Sequence, residues 1–183
     1  MIKIIIGKKG SGKTELLAEM VNTAANTSLG NVVCIEKSDA LIYSIKYKAR
    51  LVDTDTYGIN GYDEYYGLLA GVKAGNADVT HVFGDATLRI GSRDYGELAA
   101  FLKRLAKIDD VEFVFTISCD EADLPAEVFE VAEPVAETVE EVTEPVAETV
   151  EEIVEPVAET VEETVEEVAR IMNASRLEVD DEE

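Results

Sequence analysis

The sequence predicts an α/β domain over residues 1–122, built on a mainly parallel five-stranded sheet with helices on both faces, followed by an acidic, partly helical tail over 123–183. Three observations carry that expectation. Short β-branched runs alternate with amphipathic stretches along the front of the chain, a glycine-rich octapeptide joins the first run to the first amphipathic stretch, and the sequence beyond about Leu124 collapses into an eleven-residue repeat. Strands that alternate with helices need right-handed crossovers, and these cover both faces of a parallel sheet.

The elements follow in order. Met1-Ile2-Lys3-Ile4-Ile5-Ile6 is β-branched and stops at Gly7, which reads as a strand. From Lys13 to about Ala25, Leu16, Leu17, Met20, Val21 and Ala24 recur at helical spacing. Asn31–Glu36, about Ala49–Asp53, Val79–Gly84 and Val111–Ile117 are further strands bounded by turn or charge signals. Tyr62 to about Ala74 and Asp94 to about Lys107 have the spacing of amphipathic helices, the second turning Leu98, Phe101, Leu102 and Leu105 inward. The span Lys37–Lys48 fits neither pattern.

Charge divides the chain at the same place. Of 39 acidic and 16 basic residues, 24 and two lie from Asp120 onward, which leaves 15 and 14 before it. All seven Tyr and four of the five Phe also precede residue 120, so the material for a core lies in front. A net charge of -23 disfavours nonspecific attraction to nucleic acid or to an anionic membrane. No apolar run approaches the roughly 18 to 20 residues that span a bilayer, and Ile2–Ile6 is too short for a signal peptide, so a cytoplasmic location is expected. Cys34 and Cys119 lack the spacing of a zinc site or a disulfide framework and read as small buried residues. His81, alone of its kind, reads as a packed strand residue and not as a metal ligand.

The octapeptide Gly7-Lys8-Lys9-Gly10-Ser11-Gly12-Lys13-Thr14 matches GxxxxGK[ST], the Walker A pattern, in the strand-to-helix setting that the pattern requires. Its glycines let backbone N–H groups converge on phosphate oxygens at the positive end of the following helix. Lys13 is then expected on the β- and γ-phosphates of a nucleotide and Thr14 on Mg²⁺. Asp85, ending the Val79–Gly84 strand, is the expected carboxylate on the other side of the metal, because parallel sheets bind ligands at the carboxyl ends of their strands. The next residue is Ala86, not a Glu that would orient water. Glu36, at another strand end, is therefore the candidate base, with Asp39 and Asp53 as alternatives. Thr116 and Ser118, at the end of the last strand, are candidates for sensing the γ-phosphate. Arg89 and Arg93 read first as surface ion-pair residues, and second as arginines acting in a neighbour's site.

With the loop and Asp85 in view, residues 1 to about 120 resemble small bacterial P-loop ATP-binding proteins of the RecA-like type, which insert a strand between the loop strand and the Asp85 strand. The segment Asn31-Val32-Val33-Cys34-Ile35-Glu36-Lys37 is similar to the strand that carries the catalytic Glu in pilus-retraction, or twitching-motility, ATPases. The resemblance implies binding of ATP with Mg²⁺ and its hydrolysis. It does not imply pilus retraction, since those motors carry His-containing motifs and this chain has a single His. Three functions follow as expectations: a slow Mg²⁺-dependent ATPase, a nucleotide-gated interaction module without significant turnover, and, third, a small-molecule kinase.

The repeats in the tail are EPVAETVEEVT, EPVAETVEEIV and EPVAETVEETV, starting at Glu133, Glu144 and Glu155. Their apolar residues recur every four, three and four positions, which puts a valine stripe on one helix face. Pro134, Pro145 and Pro156 oppose a continuous helix at about 3 kcal/mol each and favour short helices starting at each Pro. The tail is expected to be dispensable for folding, with residues 1–124 folding alone. It reads as a solubilising spacer, or as a segment for homo-oligomerisation or for docking a protein partner.

Overall fold

The computed structural model describes residues 1–38 and 40–135. Asp39 and the repeats from residue 136 onward lie outside the described residues, and so do the expectations attached to them. The chain begins with β1 (Ile2–Ile6), α1 (Lys13–Thr27), β2 (Asn31–Glu36) and β3 (Arg50–Asp53). After these come α2 (Tyr62–Gly75), β4 (Val79–Gly84), α3 (Thr87–Ile90), α4 (Tyr95–Leu105) and β5 (Glu112–Ile117). A 3₁₀ turn (Glu121–Asp123), α5 (Ala126–Phe129) and β6 (Glu133–Pro134) complete it.

The sheet has the order β3-β2-β4-β5-β1-β6, and its five strand pairings are all parallel. It lies between two apolar layers. On one face Ile5, Val32, Cys34, Phe83 and Val114 meet Leu17, Ala18 and Val21 of α1, with Leu41 and Ala49 from the β2–β3 connection. On the other, Ile4, Ile35, Val82, Phe113 and Phe115 meet Tyr62, Tyr65 and Leu69 of α2 and Leu98, Phe101, Leu102 and Leu105 of α4. Adjacent strand residues such as Ile4 and Ile5, or Cys34 and Ile35, thus serve opposite faces, as the period-two pleat requires. Asp94 caps α4 by accepting the N–H groups of Gly96 at 2.8 Å and Glu97 at 3.0 Å.

Three expectations need correcting. The sheet has six strands and not five, and the packed region does not stop at residue 122. Leu124, Val128 and Ala132 are buried in the layer below α4, because an apolar residue recurs there every four positions. The start of the first repeat, Glu133–Pro134, is a strand beside β1 and not the start of a helix; Val135 N–H donates to Ile4 O at 2.8 Å. Proline is acceptable in that strand because it lies at the sheet edge, where its missing N–H breaks no ladder. In the connection after β2, residues 40–48 are largely turns anchored on α1, where Asn22 Nδ2 donates to Ser44 O at 2.8 Å and Lys46 N–H donates to Asn22 Oδ1 at 2.8 Å. Among the described residues no helix is long and apolar enough to cross a membrane.

Candidate functional site

Parallel pairing brings the carboxyl ends of β1, β2, β4 and β5 to one edge. In register, Ile5 of β1 pairs with Thr116 of β5, and Gly84 of β4 with both Phe115 of β5 and Ile35 of β2. Glu36, Asp85 and Thr116 therefore arrive at the same level, with Gly7 two residues beyond it. β5 separates the loop strand from the Asp85 strand.

The glycine loop runs from Gly7 to the start of α1. Gly10 and Gly12 have φ of 84° and 80°, in the left-handed region that disfavours any residue with a Cβ. The loop thus turns twice without a bulky side chain over its mouth. Lys13, at the first position of α1, folds back over the loop, donating from Nζ to Lys8 O at 2.6 Å and to Ser11 Oγ at 3.2 Å. Lys8 is held by Asp120, with Nζ to Oδ1 at 3.1 Å.

Thr14, Asp85 and Thr116 converge beside that loop. Thr116 Oγ1 donates to Asp85 Oδ1 at 2.7 Å and accepts the N–H of Ala86 at 3.0 Å. With its proton and one acceptor position both used, the buried Thr116 hydroxyl holds the carboxylate in a fixed orientation. Thr14 Oγ1 lies 3.3 and 3.4 Å from the two carboxylate oxygens, donating only weakly. Ala86 adopts φ 53°, ψ 36°, a left-handed conformation that costs a non-glycine residue on the order of 1–2 kcal/mol. That turn sends the chain straight from the end of β4 into α3.

These groups open onto a cleft of about 870 Å³. Lys9, Gly10, Gly12, Lys13, Thr14 and Glu15 line one side; Asp85, Ala86, Leu88, Arg89, Arg93, Tyr95, Thr116 and Ser118 line the rest. The volume falls in the range of small-molecule sites, roughly 300–1,000 Å³.

Glu36 is placed differently. It is fully buried, Oε2 accepts the Leu41 N–H at 2.8 Å, and it is not one of the cleft-lining residues. It anchors the turn that follows β2. Burial, with the Glu36 and Asp85 charges added, pushes the Cys34 thiol far above its ordinary range, so both carboxylates act on this inert, neutral side chain. Asp53 lies apart from the cleft lining. Its carboxylate accepts Ser38 N–H at 3.1 Å, Asp55 N–H at 2.9 Å and the Thr56 hydroxyl at 2.8 Å, which hold its pKa below the ordinary carboxylate value.

The sequence reading of the arginines also changes. Among the described residues neither Arg89 nor Arg93 forms an ion pair, and both line the cleft of their own chain. Leu88, Tyr95 and Glu15 complete the lining and had not been singled out; a four-residue helix right after Asp85 leaves too short a periodicity to read. No protein-family model matches the chain, and no curated protein is found to match it.

Proposed function

We propose that this chain is a P-loop nucleotide-binding protein of the RecA-like type that binds ATP with Mg²⁺ and hydrolyses it slowly in the cytoplasm. The observation that carries the reading is the meeting of the GxxxxGK[ST] loop with Thr14, Asp85 and Thr116 at one sheet edge, over a cleft of nucleotide size. The loop N–H groups and the N-terminus of α1 favour phosphate oxygens. Lys13, already drawn over the loop, neutralises the β- and γ-phosphates.

The donor set fits a hard divalent cation: one hydroxyl and one carboxylate face each other, and magnesium habitually completes its shell with phosphates and water. Thr14 and Asp85 would hold it, and it would supply charge neutralisation across the β- and γ-phosphates. Thr116 fixes the Asp85 carboxylate, so this side of the site needs little rearrangement. Glu36 is the proposed base for the attacking water, a role for which it has to give up the Leu41 N–H and reach the cleft.

A second reading is favoured by one observation, the Glu36 carboxylate committed to Leu41 N–H outside the cleft lining. With Ala86 following Asp85, the domain then acts as a nucleotide-gated interaction module whose partner, a protein or a second copy, engages the acidic tail. Turnover decides between the two. Mg²⁺-dependent ATP hydrolysis and ATP binding are measured on wild type, Lys13→Ala and Glu36→Gln. Hydrolysis lost in both variants, with binding kept in Glu36→Gln, is the result expected of the ATPase; tight binding without turnover assigns the gated module. Absence of ATP binding by the wild type sinks both.

A further inference from the structure

Arg89 and Arg93 have no role in the sequence motif, yet they share the cleft with Lys13. We infer that they hold the terminal phosphate of a nucleoside triphosphate from within the same chain, so that the cleft distinguishes triphosphate from diphosphate. The inference rests on the nucleotide-binding reading above and goes beyond it in naming what the site selects.

With Lys9, the two side chains are the exposed cations of the cleft lining. Both are exposed, and among the described residues neither is paired, whereas Arg104 is committed to Asp63 and Lys103 to Glu130. A guanidinium left unpaired beside a phosphate-binding loop is suited to bidentate recognition of phosphate, which its planar fork matches.

Their backbone is braced. α3 starts two residues after Asp85, and the N–H of the intervening Ala86 is held by Thr116 Oγ1, the same hydroxyl that orients the carboxylate. Ile90 and Leu88 are buried, Ile90 O accepts Gly61 N–H at 2.8 Å, and Tyr62 Oη donates to Ser92 O at 2.9 Å. The segment that carries both arginines is thus fixed at one end to the Asp85 strand and at the other to the start of α2. Only the arginine side chains themselves have to be ordered on binding, which limits the entropic cost.

Charge accounting points the same way. The cleft is lined by four cations, Lys9, Lys13, Arg89 and Arg93, and two carboxylates, Glu15 and Asp85. A magnesium–triphosphate complex carries about two negative charges at neutral pH, so the full lining balances it. Without the arginines the lining is neutral and the charge of the complex is left uncompensated. A diphosphate lacks the group that lies farthest beyond the loop, and on this reading it forgoes the arginine contacts while keeping those of Lys13.

The test is calorimetric titration of the full-length chain with ATP and with ADP, each with Mg²⁺, for wild type, Arg89→Ala, Arg93→Ala and Arg89→Lys. Each alanine variant is expected to bind ATP about tenfold more weakly while ADP affinity stays within about twofold, and Arg89→Lys to recover part of the loss. The unchanged ADP affinity also shows that the variants fold. Equal losses for the two nucleotides, or no loss for either, overturn the inference while leaving nucleotide binding intact; a wild type that binds neither nucleotide removes the earlier reading as well. ATP affinity that falls on hundredfold dilution of the protein assigns the arginines to a neighbouring copy and overturns their action within one chain.

Discussion

Thr116 shows how one hydroxyl organises the site. It is 2% exposed, gives its proton to Asp85 and accepts the N–H of Ala86. Valine has nearly the same shape, so Thr116→Val leaves no sizeable cavity but strands a backbone N–H and frees the carboxylate. An unpaired buried donor costs roughly 1–3 kcal/mol, and the variant should be destabilised by that amount in chemical denaturation with an unchanged m-value. Thr116→Ser keeps both hydrogen bonds and should recover most of the loss. If the valine variant unfolds at the wild-type midpoint, the Asp85–Thr116–Ala86 chain is not what fixes the strand end. The residues of the loop were legible because eight positions together satisfy one pattern. The destination of Glu36 was not, since a strand-end carboxylate reads alike whether it faces a ligand or caps the next turn, and only the Leu41 N–H tells the two apart.

At the scale of elements, legibility followed length and periodicity. α4 was readable because Leu98, Phe101, Leu102 and Leu105 repeat over about two turns; α3 and α5, four residues each, offer one turn and no repeat. β6 was misread because a proline inside a helical repeat looks like a helix start until a strand edge lies within reach. The turn after β3 shows what such short connections depend on. Asp53 accepts the Thr56 hydroxyl and the Asp55 N–H there, and the Ser38 N–H from the β2–β3 connection, all favouring its charged form, so its folded pKa lies below the ordinary carboxylate value. A carboxylate with a depressed folded pKa contributes stability above its unfolded pKa and loses it as pH falls through the folded value. Carboxyl NMR titration should find Asp53 ionising below the ordinary carboxylate range, and Asp53→Asn should remove that dependence. An ordinary titration of Asp53 in the folded chain would contradict the hydrogen-bonded turn.

For the whole molecule, the question is where the folded part ends. Composition places the break near residue 120, where aromatics stop and acidic residues accumulate, but packing continues through Val128, Ala132 and Val135. The small residues Val and Ala give a weak compositional signal and yet bury well once α4 offers them an apolar face. Their loss also reaches the site. β1, which carries the glycine loop, lies between β5 and β6, so removing β6 makes it an edge strand and leaves Ile4 O without the Val135 N–H. A chain ended after Val135 should therefore unfold in one cooperative transition near that of the full length. Ended after Ala122, it forfeits the burial of Leu124 and Val128, roughly 1.5–3 kcal/mol each, together with the edge pairing of β1. Against a total stability of about 5–15 kcal/mol, that loss should lower the thermal midpoint by many degrees or abolish the transition. Differential scanning calorimetry of the two truncated chains beside the full length measures it. Equal midpoints would show that residues 123–135 only lie against a domain already complete at residue 122; a low midpoint for both would place part of the stability beyond Val135.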